Sequence, residues 1–249
     1  MEDSPTVTTG QLIVVGVAIL VASYVQILAG FGFALLSMPI MTLAVPVQQA
    51  VVVSTLLGML STTWQSWTLR KDADRVIARR LVIAAFLGMP LGLFLLDVVS
   101  DRALRIALGV AVLIATYLLF RQIALHHVGP VLDYGVGFVS GVLNTSLSTN
   151  GPPLVFGLQA RQLPPEKFRG TINVVFAFSN VVGITLFALD GKFTWKGVTA
   201  AAIAVPAWLI GQAAAWPLRK HLSPDRFRAM VLGLLAVAGV TTIVFAVIR

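Results

Sequence analysis

The residues best equipped for chemistry lie together in one polar interruption. Asn144-Thr145-Ser146-Leu147-Ser148-Thr149-Asn150 places six polar side chains in seven positions, followed by Gly151-Pro152-Pro153, inside an otherwise apolar run. Uncharged amides and hydroxyls in this density suit the recognition of a small anion. A proline in the first turn of a helix gives up an N–H that has no intrahelical partner anyway. Gly151 permits close approach, and the start of the helix that follows carries partial positive charge. Asn144, Ser148, Thr149, Asn150, Gly151 and Pro152 are therefore candidate substrate-binding residues. Gly30-Phe31-Gly32-Phe33, followed by Ser37 and Pro39, offers a facing half-site through Gly30, Gly32, Ser37 and Pro39, less polar because of its two phenylalanines. Small polar residues of this kind also cap helices and bridge them in membranes, and tight backbone packing also explains the glycines.

Other polar residues point to less. Gln26, Gln48, Gln49, Asn173 and Asn180 read as interhelical hydrogen-bond partners. Lys167 and Arg169 sit where a basic loop meets the membrane; they suit an orientation signal and would also draw in an anion. His126 and His127 are adjacent in one loop and His221 stands alone in another, with no carboxylate cluster nearby, so no metal site is expected. The sequence has no phosphate-binding glycine loop with lysine, no cysteine nucleophile and no histidine near the polar break. No cofactor is implied, and the reading is of a protein that is not an enzyme.

These residues must be positioned by membrane helices. Of the 249 residues 57% are hydrophobic and 11% charged, against roughly 25% charged in soluble domains. The formal charge of +8 sits in short loops between apolar runs, where it reads as an orientation signal and not as a nucleic-acid surface. The acidic start Met1-Glu2-Asp3 lacks the basic region of a secretory signal, so the first apolar run is expected to be retained. Apolar runs fall near 12–29, 34–45, 50–69, 81–96, 103–120, 130–143, 152–158, 170–189, 197–216 and 228–248. Those at 34–45, 130–143 and 152–158 are short for the roughly 30 Å of hydrocarbon a helix must cross, and each adjoins a break. Non-helical backbone at that depth survives only where protein or a wet cavity satisfies it.

The expected fold is all-α: a polytopic helical membrane protein, one transmembrane transporter domain over 1–249. Asp101-Arg102 with Gly109 recurs as Asp225-Arg226 with Gly233 at an offset of 124 residues (101 to 225, 109 to 233), and a glycine, a break and a proline recur as Gly30 to Pro39 and Gly141 to Pro152. This predicts two four-segment repeats, 11–120 and 130–248, each beginning with a broken or re-entrant helix. The basic loops Arg70–Arg80, Arg161–Arg169 and Arg219–Arg228 are expected in the cytoplasm, with 97–102 and 190–196 outside. That assignment inverts the second repeat relative to the first, a recurring transporter design. Eight simple crossings with parallel halves remain the competing count.

The paired glycine-rich breaks followed by proline, and the repeated Asp-Arg pair before the last helix of each half, resemble the TauE/SafE family of sulfite exporters over nearly the whole chain. The resemblance implies a multi-pass permease of a bacterial inner membrane for sulfite, a sulfonate or a related organic anion, moving it outward. Ala34-Leu35-Leu36 and Ser148-Thr149-Asn150 stand where the family more often carries further glycines. The expected partners are a small anion and the lipid bilayer, with a homo-oligomer left open. A non-transporting membrane scaffold and an intramembrane enzyme are the alternatives.

Overall fold

A computed structural model describes residues 8–29, 31–121, 129–218 and 224–248, the side chains of 29 and 224–230 excepted. The predicted Gly30 ligand, the three histidines and the side chains of the second Asp-Arg pair lie outside the described residues. The chain folds into helices α1 (Thr9–Ala29), α2 (Phe33–Met41), α3 (Val47–Leu69), α4 (Arg75–Val98), α5 (Asp101–Arg121), α6 (Pro130–Leu147), α7 (Gly151–Ala160), α8 (Pro165–Leu189), α9 (Trp195–Leu218) and α10 (Pro224–Ile248). No strand occurs among the described residues. Six of these helices, α1, α4, α5, α8, α9 and α10, are long and apolar enough to cross a membrane. α3 has the length, at 23 residues, but is more polar, and it buries Ser54, Thr55, Ser61 and Thr62.

The short helices double back. Gln11 Nε2, in the first turn of α1, donates to the Ala44 carbonyl just beyond α2 at 3.1 Å, so α2 returns the chain to the end where α1 began. The second short helix does the same. Arg161, which caps α7, donates to the Gly129 carbonyl before α6 at 3.2 Å and to Asp133 in the first turn of α6 at 2.8 Å. Arg80 of α4 shares the buried Asp133 carboxylate at 3.3 Å.

The two hairpins open at opposite ends of the bundle. At the mouth of α1–α2, the Val47 amide at the start of α3 donates to Asp101 (2.7 Å), and Gln48 donates to the Leu96 carbonyl at the end of α4 (3.2 Å). Lys192, between α8 and α9, pairs there with Asp97 and Asp190. Partial burial alone would lower its pKa, but hydrogen bonds to both carboxylates outweigh that and raise it. At the mouth of α6–α7, the Asp74 amide donates to Thr171 of α8 at 2.9 Å. The loop at Arg70 and the start of α8 therefore share one end, as their common basic character predicts. Asp74 also caps α4, its carboxylate accepting from the Val76 and Ile77 amides at 3.0 Å.

Packing follows the same pairing. α4 lies on α6 and α9 on α1, while α3 meets α8 and α5 meets α10. Gly88 and Gly92 of α4 lie against Phe138, Val142 and Thr145 of α6, and Gly137 and Gly141 of α6 against Leu81, Ala84 and Ala85 of α4, two glycine pairs each spaced by four. A Cβ on Gly88, Gly92 or Gly141 would fall inside the carbonyls of Phe138, Val142 and Ala85 respectively, so the backbones touch without intervening side chains. Gly141 thus belongs to a helix contact, and the break that follows it in the sequence pattern falls between Leu147 and Gly151. The backbone stays helical through Leu147; Ser146 returns its hydroxyl to the Val142 carbonyl (2.7 Å), and Thr145 donates across to the Met89 carbonyl of α4 (2.6 Å).

Gly141→Val should separate α4 from α6 and cost about 1–3 kcal/mol, visible as a fall in unfolding temperature in detergent. Gly135→Ala, on the same helix with nothing within 4 Å of an added Cβ, should leave it unchanged or raised.

Candidate functional site

Both breaks end at one cavity in the middle of the bundle. Its lining comes from α1 (Gln26), the start of α2 (Gly32, Phe33), α3 (Ser54, Gly58, Thr62), the second break (Ser148, Thr149, Asn150, Gly151) and α8 (Phe176, Asn180). Its volume of about 40 Å³ is room for about three waters or a compact polyatomic ion. Among the described residues, no charged side chain lines it.

Each break is shaped by a left-handed residue. Gly32, at φ 97°, is the N-cap of α2, a conformation that favours glycine. Ser148, at φ 54°, ends α6; its amide bonds the Asn144 carbonyl at 2.9 Å, and the next amide, of Thr149, reaches Leu143 at 3.1 Å. Ser140 Oγ donates to the Asn150 carbonyl at 3.1 Å. Hydroxyl contacts tie the breaks to the long helices: Thr55 with Ser148 (3.2 Å) and Ser37 with Ser54 (3.3 Å). Asn180 Nδ2 donates to Thr62 at 3.1 Å, joining α8 to α3.

The cavity receives two helix starts, α2 and α7, whose amides and aligned dipoles favour negative charge. They differ in donors. α2 presents the amides of Phe33, Ala34 and Leu35, whereas Pro152 and Pro153 remove two of the first three from α7. The Gly151 N–H and the Asn150 side chain stand in for them. Asn150 Nδ2 is buried without a partner, as is Gln26 Oε1 on the α1 wall. Unpaired buried polar atoms of this kind are costly unless a ligand or water completes them.

Of the predicted site residues, Gly32, Ser148, Thr149, Asn150 and Gly151 line the cavity. Ser37 and Asn144 stand one layer behind it, Ser37 supporting Ser54 and Asn144 donating to the Ser179 carbonyl at 3.2 Å with its Oδ1 unpaired. Pro39 lies inside α2 and is buried. Pro152 turns the other way, into an apolar groove of about 810 Å³ between α5, α6 and α7. The wall that residue types alone did not single out is α3, where Ser54, Gly58 and Thr62 recur every fourth residue on one face. Gln26 and Asn180, expected to be interhelical partners, also reach the cavity. The aromatic pair Phe31 and Phe168, edge to face at 6.3 Å, joins the first break to the basic start of α8.

The left-handed Ser148 sets two effects of similar size against each other. Glycine there relieves about 1 kcal/mol of backbone strain and forfeits a hydrogen bond to Thr55 worth about 1 kcal/mol. Alanine keeps the strain and forfeits the bond. Thermal unfolding should therefore rank wild type and Ser148→Gly close together, with Ser148→Ala lower by about 1 kcal/mol.

The family model for the sulfite exporter TauE/SafE matches residues 15–242, a stretch that includes both breaks and every cavity-lining residue. A curated relative, the probable sulfite/organosulfonate exporter TauE of Cupriavidus necator, is 24% identical over 235 residues, covering 90% of this chain and 91% of the relative. No solved structure matches. With its two breaks meeting at one uncharged cavity among apolar helices, this chain belongs to the sulfite exporter TauE/SafE family.

Proposed function

We propose that this multi-pass membrane protein is a secondary transporter or uniporter that exports a small sulfur oxyanion or sulfonate across a bacterial inner membrane, binding it between the two breaks. The observation that carries the reading is the cavity itself: two helix starts converge on it, neutral donors line it, and Asn150 Nδ2 is left unpaired. The family match and the name of the curated relative favour an anion of this class.

The architecture supports alternating access. Hairpins that open at opposite ends, each followed by three long helices, favour two inverted repeats over two parallel ones, here over 11–120 and 130–248. Rocking of one repeat against the other would expose the site to each side in turn. The basic end, with Arg70–Arg80 and Arg161–Arg169, would face the cytoplasm. A monovalent anion leaving the cell gains about 2.3 kcal/mol per 100 mV of inside-negative potential, roughly a fiftyfold gradient, so export needs no coupling residue.

Purified protein in liposomes loaded with labelled sulfite should release it at a rate that rises with an inside-negative potential. Asn150→Ala removes the unpaired donor and should lower that flux about tenfold or more. Gly151→Leu should abolish it: a Cβ at 151 has ordinary room, at 3.6 Å from Leu35 and 3.9 Å from Phe176, so the rest of the leucine fills the cavity without unfolding the protein. Normal flux in both variants would remove the site from between the breaks.

A further inference from the structure

The cavity carries a second message, about the charge of what it holds. It is walled by α1, α2, α3, α7 and α8, with α9 behind α1. The charged residues of these helices are confined to their ends: Arg161 caps α7, Glu166, Lys167 and Arg169 lie in the first turns of α8, and Lys196 begins α9. α1, α2 and α3 contain none, and Tyr24, the titratable group nearest Gln26 on α1, packs against both the main core and the Ile27, Leu28 and Ala215 cluster and is not among the residues that line the cavity. Among the described residues, an ion entering the cavity gives up water and meets dipoles only. The cost of that transfer grows with the square of the ionic charge, so a dianion is penalised about fourfold more than a monoanion of the same size.

The unpaired atoms add a requirement of shape. Asn150 Nδ2 is a donor and Gln26 Oε1 an acceptor; their residues are 7% and 2% exposed, and both line the cavity. A fully deprotonated oxyanion can only accept hydrogen bonds and leaves Gln26 Oε1 empty. A protonated oxyanion accepts from one wall and donates to the other.

We infer that the cavity takes its oxyanion as the singly charged, protonated species, hydrogensulfite in the case of sulfite, with Gln26 Oε1 accepting the acid proton and Asn150 Nδ2 donating to an oxyanion oxygen. This rests on the transport reading above and adds the ionic form to it. Each turnover then moves one net charge, and sulfite leaves together with one proton. No bond is made or broken in the step.

The test is sulfite flux in proteoliposomes across a pH series, with empty-liposome leak subtracted, together with the potential at which net flux reverses under a fixed gradient. The expected result is one net charge per sulfite and a flux at fixed total sulfite that falls about tenfold per pH unit once the medium passes the second ionisation of sulfurous acid. Gln26→Leu, checked for folding by size exclusion, should lose about tenfold or more of the flux and flatten the pH profile. Two charges per sulfite, a flux that rises with alkalinity, or a Gln26→Leu variant with the wild-type rate and profile would overturn the inference while leaving transport intact. Absence of sulfite flux at every pH from folded protein would instead sink the transport reading itself.

Discussion

Inside a bilayer every backbone N–H and C=O must find its partner within the protein, because neither lipid nor bulk water supplies one. A chain that stops being helical at mid-depth, as this one does before α2 and again before α7, creates a debt that the surrounding side chains must settle. At the second break they nearly do: the amides of Ser148 and Thr149 fold back onto the end of α6, and Ser140 takes the Asn150 carbonyl. At the first, Gly32 adopts a backbone angle that favours glycine, and its carbonyl starts α2 by accepting from Leu36 at 3.3 Å. The first amides of the short helices and the unpaired Asn150 and Gln26 side-chain atoms belong to residues that line one cavity, while Asn144 Oδ1 stays unpaired one layer behind it. The cavity is thus the remainder of the breaks, lined among the described residues by uncharged side chains.

Holding two half-length helices in place takes more than their own burial. α2 has 9 residues and α7 has 10, too few to be stable alone. Each is pinned at its far end to the start of its own hairpin, by Gln11 on Ala44 in one case and by Arg161 on Asp133 and Gly129 in the other. The first latch is neutral and the second is charged, matching the end of the bundle each occupies, the second lying among the basic loops. The hairpins are then fixed laterally by close backbone contact, glycine against carbonyl between α4 and α6 and between α1 and α9, where Gly211 lies against Leu20 and Ser23.

The helical membrane class was legible from composition alone, and the breaks from residues whose physics is local: glycine for a left-handed turn, proline for a missing donor. The polar run from Asn144 read as wholly broken backbone, yet half of it is helix, because serine and threonine can satisfy themselves on preceding carbonyls and leave no trace of that choice in composition. The doubling back of α2 and α7 is expected from short runs and loop charges, but the contacts that hold it, such as Gln11 with Ala44, 33 residues apart, are ones periodicity does not encode. The α3 wall was hidden for a related reason. Ser54, Gly58 and Thr62 form a stripe on one face, but small residues along a membrane helix serve packing as often as binding, and only the position of the second break decides between them. Pro152 shows the converse: next to Gly151 in sequence, it points to the opposite side of the short helix.

The two halves build the cavity by the same rule with the parts exchanged. At an offset of 118 residues (33 to 151, 58 to 176), Phe33 of α2 corresponds to Gly151 of α7, and Gly58 of α3 to Phe176 of α8. In the first half the ring comes from the short helix and lies 3.7 Å from where a Cβ of Gly58 would stand; in the second the ring comes from the long helix, 3.9 Å from the corresponding point on Gly151. Each half therefore sets one phenylalanine against one glycine. The exchange has a chemical consequence. Because its glycine is on the short helix, the second break can bring backbone N–H and the Asn150 amide to the ligand, while the first break, carrying its own ring, offers a more apolar wall. The donors therefore differ in kind between the halves, three backbone amides from the start of α2 against one amide and the Asn150 side chain from the second break.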